Sequence, residues 1–195
     1  MEKIARLCWN TENWRRPSGL AGKSLSKESY ERRYGFGHEE WLLDDSKIWK
    51  GYHYGFLQPL NVKSQLHVGN TYDIHLFSIS PSKQKVYIGC LRNAVCISPQ
   101  ESKDAYAYYE QKGWLNEMND DIVFAGGKVK KFSASELFNV KFKFEEAELT
   151  KDDKPVIEST SIGHRYCLMD KKSKFKFEKT NVGKESVTKT LDTSN

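Results

Sequence analysis

The chain has 195 residues, mean hydropathy −0.71 and no apolar run near the ~20 residues of a membrane helix, which excludes a helical membrane protein and fits one soluble domain with an appendage. The N-terminus, MEKIARLCWN, lacks the basic-then-apolar layout of a secretory signal, so a cytoplasmic location is expected. The net charge of +5 is uneven: residues 1–33 carry +4, residues 34–150 carry −2 and residues 151–195 carry +3. Two explanations stay open, a basic arm that meets a polyanion or solvated ends on an ordinary domain.

In chain order, KIARLCWN (3–10) reads as a short strand. Residues 11–33 are polar, contain Pro17, Gly19 and Gly22, and read as an irregular loop. A strand is expected at 52–58, running into Pro59. The clearest unit is a β-hairpin. In TYDIHLFSIS (71–80), Tyr72, Ile74 and Leu76 alternate with Asp73 and His75, PSKQ turns the chain, and residues 85–98 return as a long strand. Gly89 in mid-strand implies a bulge or a close approach by another backbone or a ligand.

Ser98, Pro99 and Glu101 form the start signal of a helix, with Ala105, Tyr108 and Tyr109 as its inner stripe and Gly113 as its stop. SASE (133–136) repeats the signal for a short helix, and residues 139–149 alternate as a strand again. TKDDKP (150–155) marks a boundary, giving a domain over 1–149 and an extension over 150–195. In the extension, GHRYCLM and KFKFEK are expected as strands and the terminal TNVGKESVTKTLDTSN as disordered. The sum is an α+β fold, a small barrel or curled sheet of five to seven strands with two or three short helices.

Cys8, Cys90, Cys96 and Cys167 show no CxxC spacing, which points to reduced thiols and away from structural zinc. The densest chemistry lies in YGFGHEEWLL (34–43). Metal binding by His38 lacks a partner, because His53, His67, His75 and His164 share no ligand spacing with it. Glu39 and Glu40 would face opposite ways on a strand and make a poor acid–base pair. No nucleophile elbow, phosphate loop or HNH-like histidine cluster is present, so neither catalysis nor a cofactor is expected. Nucleic-acid binding needs cations for phosphates and flat faces for bases, and the first 60 residues hold both. Arg15, Arg16, Lys23, Lys27, Arg32 and Arg33 interleave with Trp9, Trp14, Tyr34, Phe36, Trp41, Tyr52 and Tyr54. Each ring singly is more often core than contact. The cluster, interrupted by charges and glycines, suggests an exposed aromatic surface.

CWNTENWRRPSG, GFGHEEWLL, GYHYGFLQP and YIGCLRNAVCISPQES resemble the N-terminal domain of bacterial HNH-type endonucleases of modification-dependent restriction. VYIGCLRNAVCIS also resembles the PUA-like barrel of the EVE, YTH, ASCH and SRA domains. The likeness covers about residues 4–148. It implies a PUA-like β-barrel that binds DNA, recognises a modified base by base flipping and encloses it in an aromatic cage. Carried over, the cage or edge-reading residues are Trp9, Trp14, Phe36, His38, Glu39, Trp41 and Tyr54. Arg15, Arg16, Lys23, Arg32 and Arg33 are the phosphate contacts. Cleavage is not expected, because no HNH cluster follows. An RNA-binding or ribonuclease ASCH-like domain and a protein-interaction domain are the rival classes, and nothing in the sequence sets an oligomeric state.

Overall fold

The computed structural model describes residues 1–23, 26, 28–62, 64–150, 154–157 and 168–171. It is a mixed α+β fold on an eight-stranded sheet. The strands are β1 (Glu2–Leu7), β2 (Ile48–Trp49), β3 (Tyr52–Gly55), β4 (Thr71–Ile79), β5 (Lys85–Cys96), β6 (Val140–Phe142), β7 (Ala147–Leu149) and β8 (Met169–Asp170). Their order is β2-β3-β6-β5-β4-β1-β8, with β7 also paired to β5. The β1–β4 pair is parallel and the other pairs are antiparallel. The path is open between β2 and β8 among the described residues, where the sequence suggested a small barrel or curled sheet of five to seven strands and the resemblance a PUA-like barrel.

The β4–β5 hairpin forms as its alternation predicts. Tyr72, Ile74 and Leu76 enter the main core with Ile88, Leu91 and Ala94 of β5. On the opposite face Phe77 packs with Ile4 and Ile157. Gly89 has φ +149°, and a Cβ there would lie 2.5 Å from the Glu148 carbonyl oxygen and 2.8 Å from the Leu149 Cα. The expected close approach is thus to the backbone of β7. The strand expected over 139–149 breaks into β6 and β7 around a 3₁₀ turn at Phe144–Glu146, so that β5 pairs with both pieces.

There are five helices among the described residues: α1 (Tyr30–Tyr34), α2 (Gln58–Asn61), α3 (Pro99–Gln111), α4 (Trp114–Phe124) and α5 (Ala134–Leu137). Ser98 caps α3 by accepting from the Glu101 N–H at 3.1 Å, and Ala105 and Tyr109 are its buried stripe. Gly113, φ +77°, ends α3 and at once begins α4, which sequence reading did not separate. Together α3, α4 and α5 build a second core on Phe36, Trp41, Tyr54, Ile97, Met118 and Ile122.

The described parts of the extension pack on the same sheet. Ile157 donates its N–H to the Lys85 carbonyl at 2.8 Å, and Met169–Asp170 pairs with β1. Apart from Leu168 to Lys171, the expected strands of the extension and its final segment lie outside the described residues. No helix among the described residues is long and apolar enough to cross a membrane.

Candidate nucleobase slot

The stretch 34–43 is neither strand nor α-helix. His38–Trp41 forms one 3₁₀ turn, and its two glutamates each hold a different part of the chain. Glu40 is fully buried and is the hub of the 10–23 loop. Its Oε1 accepts from the Lys23 ammonium at 2.5 Å and from the Gly37 N–H at 2.6 Å. Its Oε2 accepts from Asn10 Nδ2 at 2.7 Å and the Ser18 N–H at 2.9 Å. Asn10 Oδ1 in turn accepts from the N–H groups of Glu12 and Trp14 at 2.6 and 2.9 Å. That turn places Asn13 and Trp14 at φ +52° and +56° and drives the Trp14 ring into the main core, where its indole N–H donates to the Cys8 carbonyl at 2.9 Å.

Glu39 is 3 % exposed and ties the end of β1 to the start of α2. Its Oε2 accepts from the Cys8 N–H and its Oε1 from the Gln58 N–H, both at 2.9 Å. Burial raises its pKa to about 7, and the two backbone donors only partly oppose that rise. His38 is half-buried, 4.3 Å from Tyr30 and 5.4 Å from Phe56 between ring centroids. Burial, helped by the Lys130 charge, lowers its pKa to about 4, so the ring is neutral at physiological pH.

These elements surround a cavity of about 290 Å³ lined by Cys8, Tyr30, His38, Glu39, Phe56 and Gln58 among others. Beside it Tyr30 Oη and His38 Nδ1 are shielded from solvent and have no hydrogen-bond partner. Buried polar atoms are normally paired, so these two orphans leave hydrogen-bonding capacity unused on residues that line the cavity. A second cavity of about 440 Å³ shares Cys8, Ser29 and Glu31 with the first and adds Arg6, Trp9 and Lys83. The two make one cleft along the outer side of the β1 end.

The structure therefore splits the expected cage. Trp9, His38 and Glu39 line the cleft. Trp14, Phe36, Trp41 and Tyr54 do not: they are 0, 0, 4 and 3 % exposed, Trp14 in the main core and the other three in the second. As placed, these four rings are framework and offer no face to a base. Trp41 is pinned by its indole N–H to Asp121 at 3.0 Å, and Tyr54 by its hydroxyl to Glu101 at 3.0 Å.

The expected phosphate contacts divide similarly. The Lys23 side chain is 1 % exposed and neutralised by Glu40, so it cannot reach a phosphate. Arg15 pairs with Asp45 at 2.7 Å and Arg16 with Glu12 at 2.9 Å, both near the surface, where such pairs are weak and readily exchanged. Arg32 and Arg33 are exposed on α1. The Lys128 N–H donates to the Tyr34 carbonyl at 2.7 Å, which sets the basic segment Lys128, Lys130 and Lys131 beside that helix.

Tyr30 and the 128–131 lysines were not among the residues singled out from the sequence, whereas Phe56 falls in the 52–56 aromatic stretch expected to contribute to the cage. Tyr30 follows the helix cap Ser29, whose Oγ accepts from the Arg32 N–H at 3.2 Å, and packs on Tyr34 four residues on. That i, i+4 pairing was the available signal.

One other cluster has catalytic residue types. Cys90 Sγ lies 3.9 Å from His75 Nε2, and the same nitrogen lies 3.1 Å from Glu2. Burial pushes the Cys90 thiol up to about 12, which holds it protonated, and one nitrogen cannot both be oriented by a carboxylate and accept a thiol proton. No group of three or more metal-ligating side chains occurs among the described residues.

No protein-family profile, curated protein or solved structure matches the chain.

Proposed function

We propose that the chain is a cytoplasmic, PUA-like DNA-binding reader that draws one modified base out of a duplex and serves as the specificity module of a modification-dependent restriction system. The slot that would receive the base is the ring-lined cavity of Tyr30, His38 and Phe56, with Glu39 at its side, in place of the wider cage suggested by the sequence. The single observation that carries this assignment is that cavity of about 290 Å³, lined by the side chains of Tyr30, His38 and Phe56. A volume at the small end of ligand sites suits one planar heterocycle. Stacking would hold it at ~1–3 kcal/mol per ring face.

The polar groups suit edge reading. Neutral His38 offers one nitrogen as donor or acceptor, and the Tyr30 hydroxyl offers both. The exposed Arg32, Arg33, Lys128 and Lys131 beside the slot supply a phosphate-tracking edge with no sequence preference of its own.

The test is a binding panel of otherwise identical duplexes carrying an unmodified site, 5-methylcytosine, 5-hydroxymethylcytosine or N6-methyladenine. One duplex should bind preferentially, and Tyr30→Ala and His38→Ala should remove the preference while leaving the thermal transition in place. Equal affinity for every duplex contradicts a reader, and a preference for the matching RNA strands moves the function to the RNA-binding class.

A further inference from the structure

The base slot accounts for only part of the cleft. The chamber beside it is the larger, about 440 Å³ against about 290 Å³, and the two share Cys8, Ser29 and Glu31. A base seated in the slot leaves that chamber open to whatever group the base carries.

Three elements build the chamber. β1 and the residues after it supply Arg6 and Trp9, the start of α1 supplies Glu31, and the β4–β5 turn supplies Ser80 and Lys83. The turn is closed by the Lys83 N–H on the Ser80 carbonyl and the Ser80 N–H on the Gln84 carbonyl, both at 2.9 Å. Trp9 is half-buried, and its ring is braced by Gly22 and Pro81. Gly22 has φ +73°, and a Cβ on it would lie 2.9 Å from the Trp9 Nε1 and 2.7 Å from the Pro81 Cγ. The indole is thus held in place as a flat apolar wall of the chamber.

The charges in the chamber are of both signs. Arg6 and Lys83 are cationic and Glu31 is anionic, while Lys23, the remaining cation, is neutralised by Glu40. Glu31 is half-buried, and its carboxylate makes no hydrogen bond or ion pair among the described residues. An anionic group placed here meets that carboxylate, and a cationic group meets Arg6 and Lys83. A neutral group rich in hydroxyls suits both signs, because each hydroxyl can donate to a carboxylate and accept from a cation. The C–H face of a sugar ring is apolar and packs on an indole.

We propose that the chamber takes a hexose carried by the base in the slot, so that the preferred target is a glycosylated base. This rests on the base-reading function and names the class of modification it selects. The sugar ring lies against Trp9, its hydroxyls donate to Glu31, and Lys83 donates to them from the turn. 5-Hydroxymethylcytosine carries the first hydroxyl of this class and is the member of the four-duplex panel that should bind best.

The test adds to that panel the same duplex with its 5-hydroxymethylcytosine glucosylated, and compares the full chain with Glu31→Ala, Trp9→Ala and Tyr30→Ala. A hydrogen bond to a charged group corresponds to roughly a 10- to 150-fold change in affinity. Wild type should therefore bind the glucosylated duplex at least about tenfold more tightly than the 5-hydroxymethylcytosine duplex. Glu31→Ala and Trp9→Ala should each remove most of that gain and leave affinity for the 5-hydroxymethylcytosine duplex within about twofold. Tyr30→Ala should weaken both duplexes together, because Tyr30 lines the slot. Glu31 holds no other described side chain, so Glu31→Ala decides the matter even where Trp9→Ala does not fold. Wild type that prefers one member of the original panel and gains nothing from the glucose overturns the chamber alone. A gain that survives Glu31→Ala overturns it too. Equal affinity of wild type for all five duplexes overturns the chamber and the base-reading function together.

Discussion

Replacing Glu40 by alanine should unseat the whole 10–23 loop. Glu40 is fully buried and the Lys23 side chain is 1 % exposed, so the substitution leaves an ammonium inside the protein with no counter-charge. Breaking such a pair from one side costs about 3–5 kcal/mol. The N–H groups of Gly37 and Ser18 and the Asn10 amide also lose their acceptor, each at about 1–3 kcal/mol unless water enters. A net loss of about 5 kcal/mol is expected, equal to roughly 10–20 °C in Tm for a chain of this size. Lys23→Met should cost less, about 1–3 kcal/mol, because Glu40 keeps its neutral donors. In the double variant the stranded ammonium is gone, so the two losses should be strongly non-additive, with a coupling of about 2 kcal/mol or more. Urea denaturation with an unchanged m-value measures each loss, and limited trypsin digestion after Arg15 reports release of the loop. A Glu40→Ala loss below about 1 kcal/mol, or additive losses in the cycle, would refute the hub.

Further outcomes follow from the same structure. Glu39 titrates near 7 in the folded chain, above its unfolded value, so its contribution is fully present below about pH 4, is lost as pH rises through 7 and amounts to about 3 kcal/mol. His38 and His53, both lowered to about 4 by burial, act oppositely: their contribution is present above about pH 6.5 and is lost as pH falls toward 4. The stability deficit of Glu39→Gln relative to wild type should therefore shrink between pH 5 and 8 in thermal melts, and a constant deficit contradicts the raised carboxyl. Gly89→Ala, with φ +149° and the β7 backbone within contact, should cost about 2 kcal/mol or more in urea titrations. Arg32→Gln combined with Arg33→Gln should lower the slope of log affinity against log salt by about 2, and an unchanged slope removes these residues from the phosphate edge.

Local signals were legible in the sequence. The β4–β5 alternation, the Ser98 cap, the SASE helix and the close approach at Gly89 all depend on neighbours within a few residues, or on a backbone geometry that only glycine tolerates. The cage was not legible in the same way. Glu39, Glu40 and Lys23 made the aromatic stretch look solvated, yet these charges are internal, satisfied by one another and by backbone N–H groups. With those charges buried, the rings between them are buried too. Trp14, Phe36, Trp41 and Tyr54 thus fill two cores, while Tyr30, half-buried at the start of a five-residue helix, lines the slot. α4 escaped notice because Asn116, Asn119, Asp120 and Asp121 are weak helix formers and Gly113 serves as both stop and start. The 139–149 alternation persists through the Phe144–Glu146 turn, so its pattern alone cannot reveal that the chain changes partners along β5.

Nuclear magnetic resonance titration of the labelled protein with single-stranded trinucleotides tests the slot most directly. The trinucleotides carry cytosine, 5-methylcytosine, 5-hydroxymethylcytosine or N6-methyladenine at the centre. At least one should shift the resonances of Cys8, Tyr30, His38, Phe56 and Gln58 together through the ring current of an inserted base. If every trinucleotide leaves those five residues unmoved, no base enters between Tyr30 and Phe56, and the account is wrong.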